Sequence, residues 1–158
     1  MTTRVFGNDF KSGELADTTK FQPFAPKKNI IVDQMGTWII IFNDPTFTDL
    51  KMNIFASSGG TPSTLIAAAT NTRTKANIHT LDNAVKYIGY TFDNVPLQTD
   101  TTYHIVLSAT GYSPTSTKFI AWRQGASQSE ITYDTGITAD LTKIAVQPYM
   151  IIISGAEY

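Results

Sequence analysis

The clearest pattern in the chain is the two-residue alternation between Asp49 and Ala56. Leu50, Met52, Ile54 and Ala56 fall on one side of an extended strand, and Asp49, Lys51, Asn53 and Phe55 fall on the other. The same period recurs in "VKYIGYTF", where Ile88, Tyr90 and Phe92 share a face. It recurs again in "TYHIVLSAT", where Tyr103, Ile105 and Leu107 oppose His104, Val106 and Ser108. Trp38 to Phe42 is apolar at every position, as a central strand covered on both sides requires.

Turn chemistry separates these runs. Gly36 stands between "NIIV" and "TWIIIF", "NDP" stops the latter, and "SSGGTP" reads as a turn. "STLIAAAT" reads as a strand from about Thr64, and "NTRTKANIHTLDNA" as a loop with one edge strand. "DNVPLQTDT" and "GYSPTST" are loops, "KFIAWR" is a strand, and "EITYDTG" is a strand with its hairpin turn. "KIAVQPYMIIISG" supplies the last pairing segments, with Pro148 at an edge or bulge. About eight strands at this spacing predict an all-β jelly-roll β-sandwich, closed by pairing of the first and last strands.

Residues 1–28 break the pattern. They are polar, carry mixed charges and end in "FQPFAPKK", where Pro23 and Pro26 oppose regular helix or ladder structure. This predicts an extended N-terminal arm, 1–28, ahead of a sandwich domain, 29–158. Phe6, Phe10, Phe21 and Phe24 are spaced along the arm like anchors. Two readings follow: they fold back onto their own domain, or they dock on a neighbouring subunit as partner-binding residues.

Composition agrees with a β fold. There are 24 threonines, whose branched side chains suit a pleated surface. The chain has no cysteine, so disulfides and thiolate metal sites are excluded. Twelve basic residues against 13 acidic ones give no field to attract nucleic acid. "WIIIF" and "YMIII" are too short to span a bilayer, and the start has no apolar signal segment, so no membrane role and no secretion are expected.

The series "DLKMNIFASSGGTPSTLIAAAT", "YIGYTFDNVPLQTDTTYHIVLSATG", "KFIAWR" and "YMIIISG" resembles a recurring β-sandwich pattern over residues 47–155. In it a strand precedes a Gly-x-Pro turn, Leu97, Thr101 and Tyr103 lead into the next strand, and a glycine closes the last one. It is similar to jelly-roll structural proteins of tailed bacteriophages, of the capsid decoration or cement type, and to carbohydrate-binding-like modules. The resemblance implies a non-enzymatic virion protein, assembled in the host cytoplasm and acting without a cofactor. Its implied partners are the major capsid protein and further copies of itself, as a homotrimer, with a host surface glycan as the alternative ligand.

Candidate chemistry is sparse. His104 shares a strand face with Thr102, Val106 and Ser108, but a residue four positions along a strand is about 13 Å away. No Ser-His dyad forms on that strand, and no Gly-x-Ser-x-Gly elbow occurs. His79 lies in a polar loop without a metal-spaced partner. Asp82-Asn83, Asp93-Asn94, Asp100 and Asp134 fall in expected loops, where turn chemistry explains them better than calcium binding, so no metal site is assigned. Tyr87, Tyr112, Trp122 and Tyr133 lie on or near strand ends and are candidates for stacking on sugar rings. Of these, Tyr87 points away from Ile88, Tyr90 and Phe92 and is expected to be the most exposed; the others are equally read as core aromatics.

Overall fold

A computed structural model describes residues 2–6, 11–14, 19–26, 28–78, 85–115, 117–124, 131–133, 137–138 and 151–158. For those at 2–20, 85, 123–138 and 151–152 it describes the backbone alone. The strands are β1 (Thr2–Phe6), β2 (Lys11–Glu14), β3 (Thr19–Pro26), β4 (Ile30–Phe42), β5 (Asp49–Ser58) and β6 (Thr61–Ala68). After the two-residue β7 (Arg73–Thr74) and a single helical turn, α1 (Lys75–Ile78), come β8 (Val85–Leu97), β9 (Tyr103–Thr110) and β10 (Phe119–Gln124). The short β11 (Ile131–Tyr133) and β12 (Ile137–Thr138) and the final β13 (Ile151–Glu157) complete the series.

These strands form two antiparallel sheets, a β-sandwich. In the first sheet β4 is central. β8 runs along one edge of it, while β13 and then β10 share the other; β1 extends β13 and β2 extends β10. β13 pairs with β4, so the first strand expected of the sandwich domain meets the last, and Thr2 to Phe6 pair with Gly155 to Ile151 on the other side of β13. In the second sheet β9 lies between β3 and β5. β11 and β12 flank β3, and β6 and β7 flank β5.

The core lies between the sheets. Leu50, Met52 and Ile54 of β5 are fully buried and face Ile88, Tyr90 and Phe92 of β8 and Val32, Met35, Ile39 and Ile41 of β4 within one cluster. Each such aliphatic side chain contributes on the order of 1.5–3 kcal/mol by leaving water. Trp122 lies at the centre with no exposure, its indole N–H donating to the buried Thr37 hydroxyl. That bond meets the requirement that a polar group be paired before it enters a core.

Four local features depart from the sequence reading, each for a physical reason. β4 runs unbroken through Gly36, because the end of the Tyr87 ring fills the space that a side chain at 36 would occupy. Gly36 therefore serves close approach and not a turn. β8 continues through Asp93, Asn94 and Pro96 to Leu97, where a loop was expected. Between the pairs Val32–Val95 and Gln34–Thr91 it carries extra residues in a bulge that includes Asn94, whose φ of 48° lies in the left-handed region uncommon outside glycine. Pro96 is tolerated because β8 pairs with β4 alone among the described strands.

The third departure concerns residues 1–28. Three stretches of the expected arm pair within the sheets as β1, β2 and β3. Pro23 does not prevent β3, because the registers of β12 (on Lys20 and Phe21) and β11 (on Phe24 to Pro26) leave Gln22 and Pro23 between them. The missing amide proton thus falls where no ladder partner is needed. The fourth is strand number: 13 strands are present among the described residues, several of them too short to show a period of two. The "SSGG" turn behaves as read. Gly59 and Gly60 take φ of 59° and 81°, the two left-handed positions of a tight hairpin between Ser58 and Thr61.

Candidate functional site

Residues directly opposed in an antiparallel ladder point to the same face. On the side of the second sheet away from the core, this rule assembles one row from four strands: Pro23 of β3, His104 of β9, Phe55 of β5 and Leu65 of β6. The next row is Phe21, Val106, Asn53 and Ala68. Exposure rises across both. Pro23, His104, Phe21 and Val106 are buried, Phe55 and Asn53 are half-buried, and Leu65 (51% exposed) and Ala68 stand in solvent. Ile66 beside Leu65 is also exposed, at 43%.

β6 itself ends the sheet, pairing with β5 alone among the described strands. No charged residue occurs from Met52 to Thr72, so the edge has no lysine or carboxylate to discourage contact. Two register irregularities against β5 bend it, the other common guard of an edge. The sequence reading missed this surface. Leu65 and Ile66 sit in a run, "TLIAAA", whose lack of alternation hides which side is wet.

The first sheet has a second outward feature. Tyr87 opposes Trp38 across β8 and β4, its ring meeting the indole edge-on at 5.3 Å and 63°. One row away, Gly36 opposes Gly89, and the Tyr87 phenol lies over this pair of glycines. The ring is held by backbone below and indole beside, yet 56% of the residue remains exposed. A further row on, Gln34 and Thr91 are opposed, and both are exposed. Tyr87 is thus the expected outward ring among the sugar-stacking candidates.

The other candidates separate from it. Trp122 and Tyr112 are core residues, the latter's phenol oxygen accepting from the Ile120 amide at 3.0 Å. Neither ring is presented at the surface, so the structure does not join them to Tyr87 in one platform. The side chain of Tyr133 lies outside what is described. Of the arm phenylalanines, Phe24 packs in the main core and Phe21 in a small cluster with Val106 and Phe55. These two follow the fold-back reading. The Phe6 side chain and Phe10 lie outside the described residues.

His104 is packed and not solvated, although alternation turns it away from the core row of Tyr103, Ile105 and Leu107. It has no exposed area, stacks on Phe21 at 5.6 Å and 15°, and approaches the Ser57 hydroxyl at 3.5 Å through Nε2. Nδ1 has no partner among the described residues. Burial pushes its pKa from 6.5 down to about 4, because the imidazolium would lose its hydration. A neutral imidazole beside a hydroxyl at this distance, with no carboxylate to orient it among the described residues, does not form a triad.

At the other side of the sandwich, Arg73 Nε and Nη2 both donate to the Gly89 carbonyl, at 2.8 and 2.6 Å. Asn71 Oδ1 accepts from the Thr91 amide at 2.8 Å. These side chains cover part of the β8 edge and tie the second sheet to the first. Nearby, burial raises the Tyr90 phenol well above its usual range; Arg73 opposes that shift and Asp49 adds to it. The Asp49 carboxylate is taken by the Thr110 hydroxyl.

Apart from Asp33, which lies inside β4 with Oδ1 buried and unpartnered among the described residues, the described carboxylates lie at turns, bulges and strand ends. Asp44 pairs with Lys75, and Glu157 with Lys28. Asp93, Asn94 and Asp100 are exposed, and the Asp100 amide donates to the Pro26 carbonyl at 2.8 Å. No group of three metal-ligating side chains occurs among the described residues. His79, Asp82, Asn83 and Asp134 lie outside them. No described helix is long and apolar enough to cross a membrane. Compared with protein-family models and with curated proteins, the chain matches none.

Proposed function

We propose that the chain is a non-enzymatic structural subunit that works by covering and bridging other protein surfaces, in the capsid decoration or cement role that its sequence resemblance implies. The observation that supports this reading is the outward apolar row ending at β6. An uncharged edge with Leu65 and Ile66 exposed gains free energy by burial, at roughly 25 cal/mol per Å² of apolar surface. Such a contact needs no reactive group. Many copies on a particle would add avidity to a modest single contact, and a closed cyclic oligomer would suit positions on symmetry axes.

The test is composition and rebinding. Density-purified phage heads should contain the chain in many copies, and heads stripped of it should take up purified protein. Leu65→Glu together with Ile66→Glu should cut uptake at least tenfold while circular dichroism stays unchanged. Absence from the particles, or full uptake of the double variant, would refute the reading.

Tyr87 favours a second reading, a glycan-binding module of a tail or host-adsorption protein. A ring already fixed over Gly36 and Gly89 loses little entropy on stacking, and Gln34 and Thr91 offer polar groups on the same face. Glycan-array binding that vanishes in Tyr87→Ala, with the fold intact, would replace the first reading with this one.

A further inference from the structure

We propose that His104 is an acid-operated latch: when its imidazole takes up a proton, the seam between β3 and β9 opens while the rest of the sandwich stays closed. The inference goes beyond the structural role and does not depend on which partner the chain covers.

The geometry concentrates strain of protonation at this seam. His104 is fully buried in the row from Pro23 to Leu65, with Phe21 stacked on its ring and Nδ1 unpartnered among the described residues. A second N–H on the imidazolium would need an acceptor and a counter-charge. On the same face β9 presents Val106 and Ser108, β3 presents Phe21 and Pro23, and β6 presents Leu65 and Ala68. β5 presents Asn53, Phe55 and Ser57 and, farther along, Lys51 and Asp49. Lys51 is four residues from Phe55 and Asp49 six, about 13 and 20 Å at the rise of a strand. The nearer of the two charges is another cation, and Asp49 already accepts from Thr110. Among the described residues the imidazole's one hydrogen-bond partner is the Ser57 hydroxyl at 3.5 Å. Relief therefore requires water to reach the ring.

β3 is the strand that yields. Of the two neighbours of β9, β5 commits Leu50, Met52 and Ile54 to the centre of the core, all without exposure. β3 pairs with β9 over Thr19 to Phe24, and of the side chains described in it Phe24 alone belongs to the main core. The ring that must move aside, Phe21, also belongs to β3. The direction is fixed by linkage. The closed form disfavours the imidazolium and the open form accepts it, so the seam is held at neutral pH and loosened as pH falls below the ordinary histidine range.

Hydrogen exchange with mass spectrometry at pH 7.5 and pH 4.5, corrected for the intrinsic pH dependence of exchange, tests this. Peptides covering β3 and Tyr103–Ser108 should lose protection at the lower pH by between about tenfold and a hundredfold, while β4 and β8 keep theirs. In His104→Phe, whose ring can stack on Phe21 without titrating, the acid loss should disappear. NMR titration of the His104 Cε1 proton in the unaltered chain should follow the same midpoint, and decides the matter should the variant fold poorly. Equal loss in all strands, the same loss in His104→Phe, or titration of His104 near 6.5 with β3 still protected would overturn the proposal.

Discussion

Two core tyrosines should respond to removal of their hydroxyls with opposite signs. Tyr90 is 1% exposed and its phenol oxygen has no hydrogen-bond partner among the described residues. Leaving such a group unpaired costs about 1–3 kcal/mol, whereas an apolar side chain of the same shape avoids that cost. Tyr90→Phe keeps the ring against Met35, its opposite number on β4, and should raise stability by about 1 kcal/mol. Tyr103 is also buried, but its phenol oxygen accepts from the Gln98 amide at 3.0 Å, pinning the loop into β9. Tyr103→Phe leaves that amide without its partner and should lower stability by about 1 kcal/mol. Urea unfolding followed by tryptophan fluorescence measures both, provided the slope of the transition is unchanged. For a domain of this size each change should move the thermal midpoint by roughly 2–4 °C, in opposite directions. A loss of stability in Tyr90→Phe as large as that in Tyr103→Phe would refute the reasoning, since it would mean the Tyr90 phenol is engaged.

Further expectations follow from single contacts. Gly36→Val drives a side chain into the space held by Tyr87 and should destabilise by about 1–3 kcal/mol, a loss reduced in a Tyr87→Ala background; equal losses in both backgrounds would contradict the contact. Trp122→Phe removes the indole N–H from Thr37 and leaves a cavity, so denaturant midpoints should report a loss of about 2–4 kcal/mol. The folded-state pKa of His104 lies below its unfolded value, so the native chain binds fewer protons and stability rises with pH through that window. It should fall by about 3 kcal/mol between pH 6.5 and 4, and His104→Phe should flatten that part of the curve.

What the sequence reveals depends on whether a residue's environment is set within its own strand. The alternation of β5 is visible because its two faces differ: Leu50, Met52 and Ile54 are buried while Lys51 and Asn53 are half-buried. In β9 the same rule orients His104 correctly, away from Tyr103 and Ile105, but leaves its degree of burial open. Its cover comes from Phe21 and Phe55, on strands distant in sequence. Period alone reports facing, and packing from other strands decides exposure. β3 was hidden for a related reason: Pro23 argues against a ladder unless one knows that β11 and β12 leave a gap opposite it. Tyr87 was the legible part of the candidate surface, since its facing opposite to Ile88 and Tyr90 follows from position. Leu65 and Ile66 were not, because "TLIAAA" has no period to read.

The claim that the chain reinforces a particle by bridging its subunits is tested most directly by heating phage heads with and without it. DNA release is followed with a dye that fluoresces on exposed DNA. Heads carrying the protein should release their DNA at a higher temperature than heads lacking it, and heads given the Leu65→Glu, Ile66→Glu variant should behave like bare ones. Identical release temperatures with and without the bound protein would contradict the account.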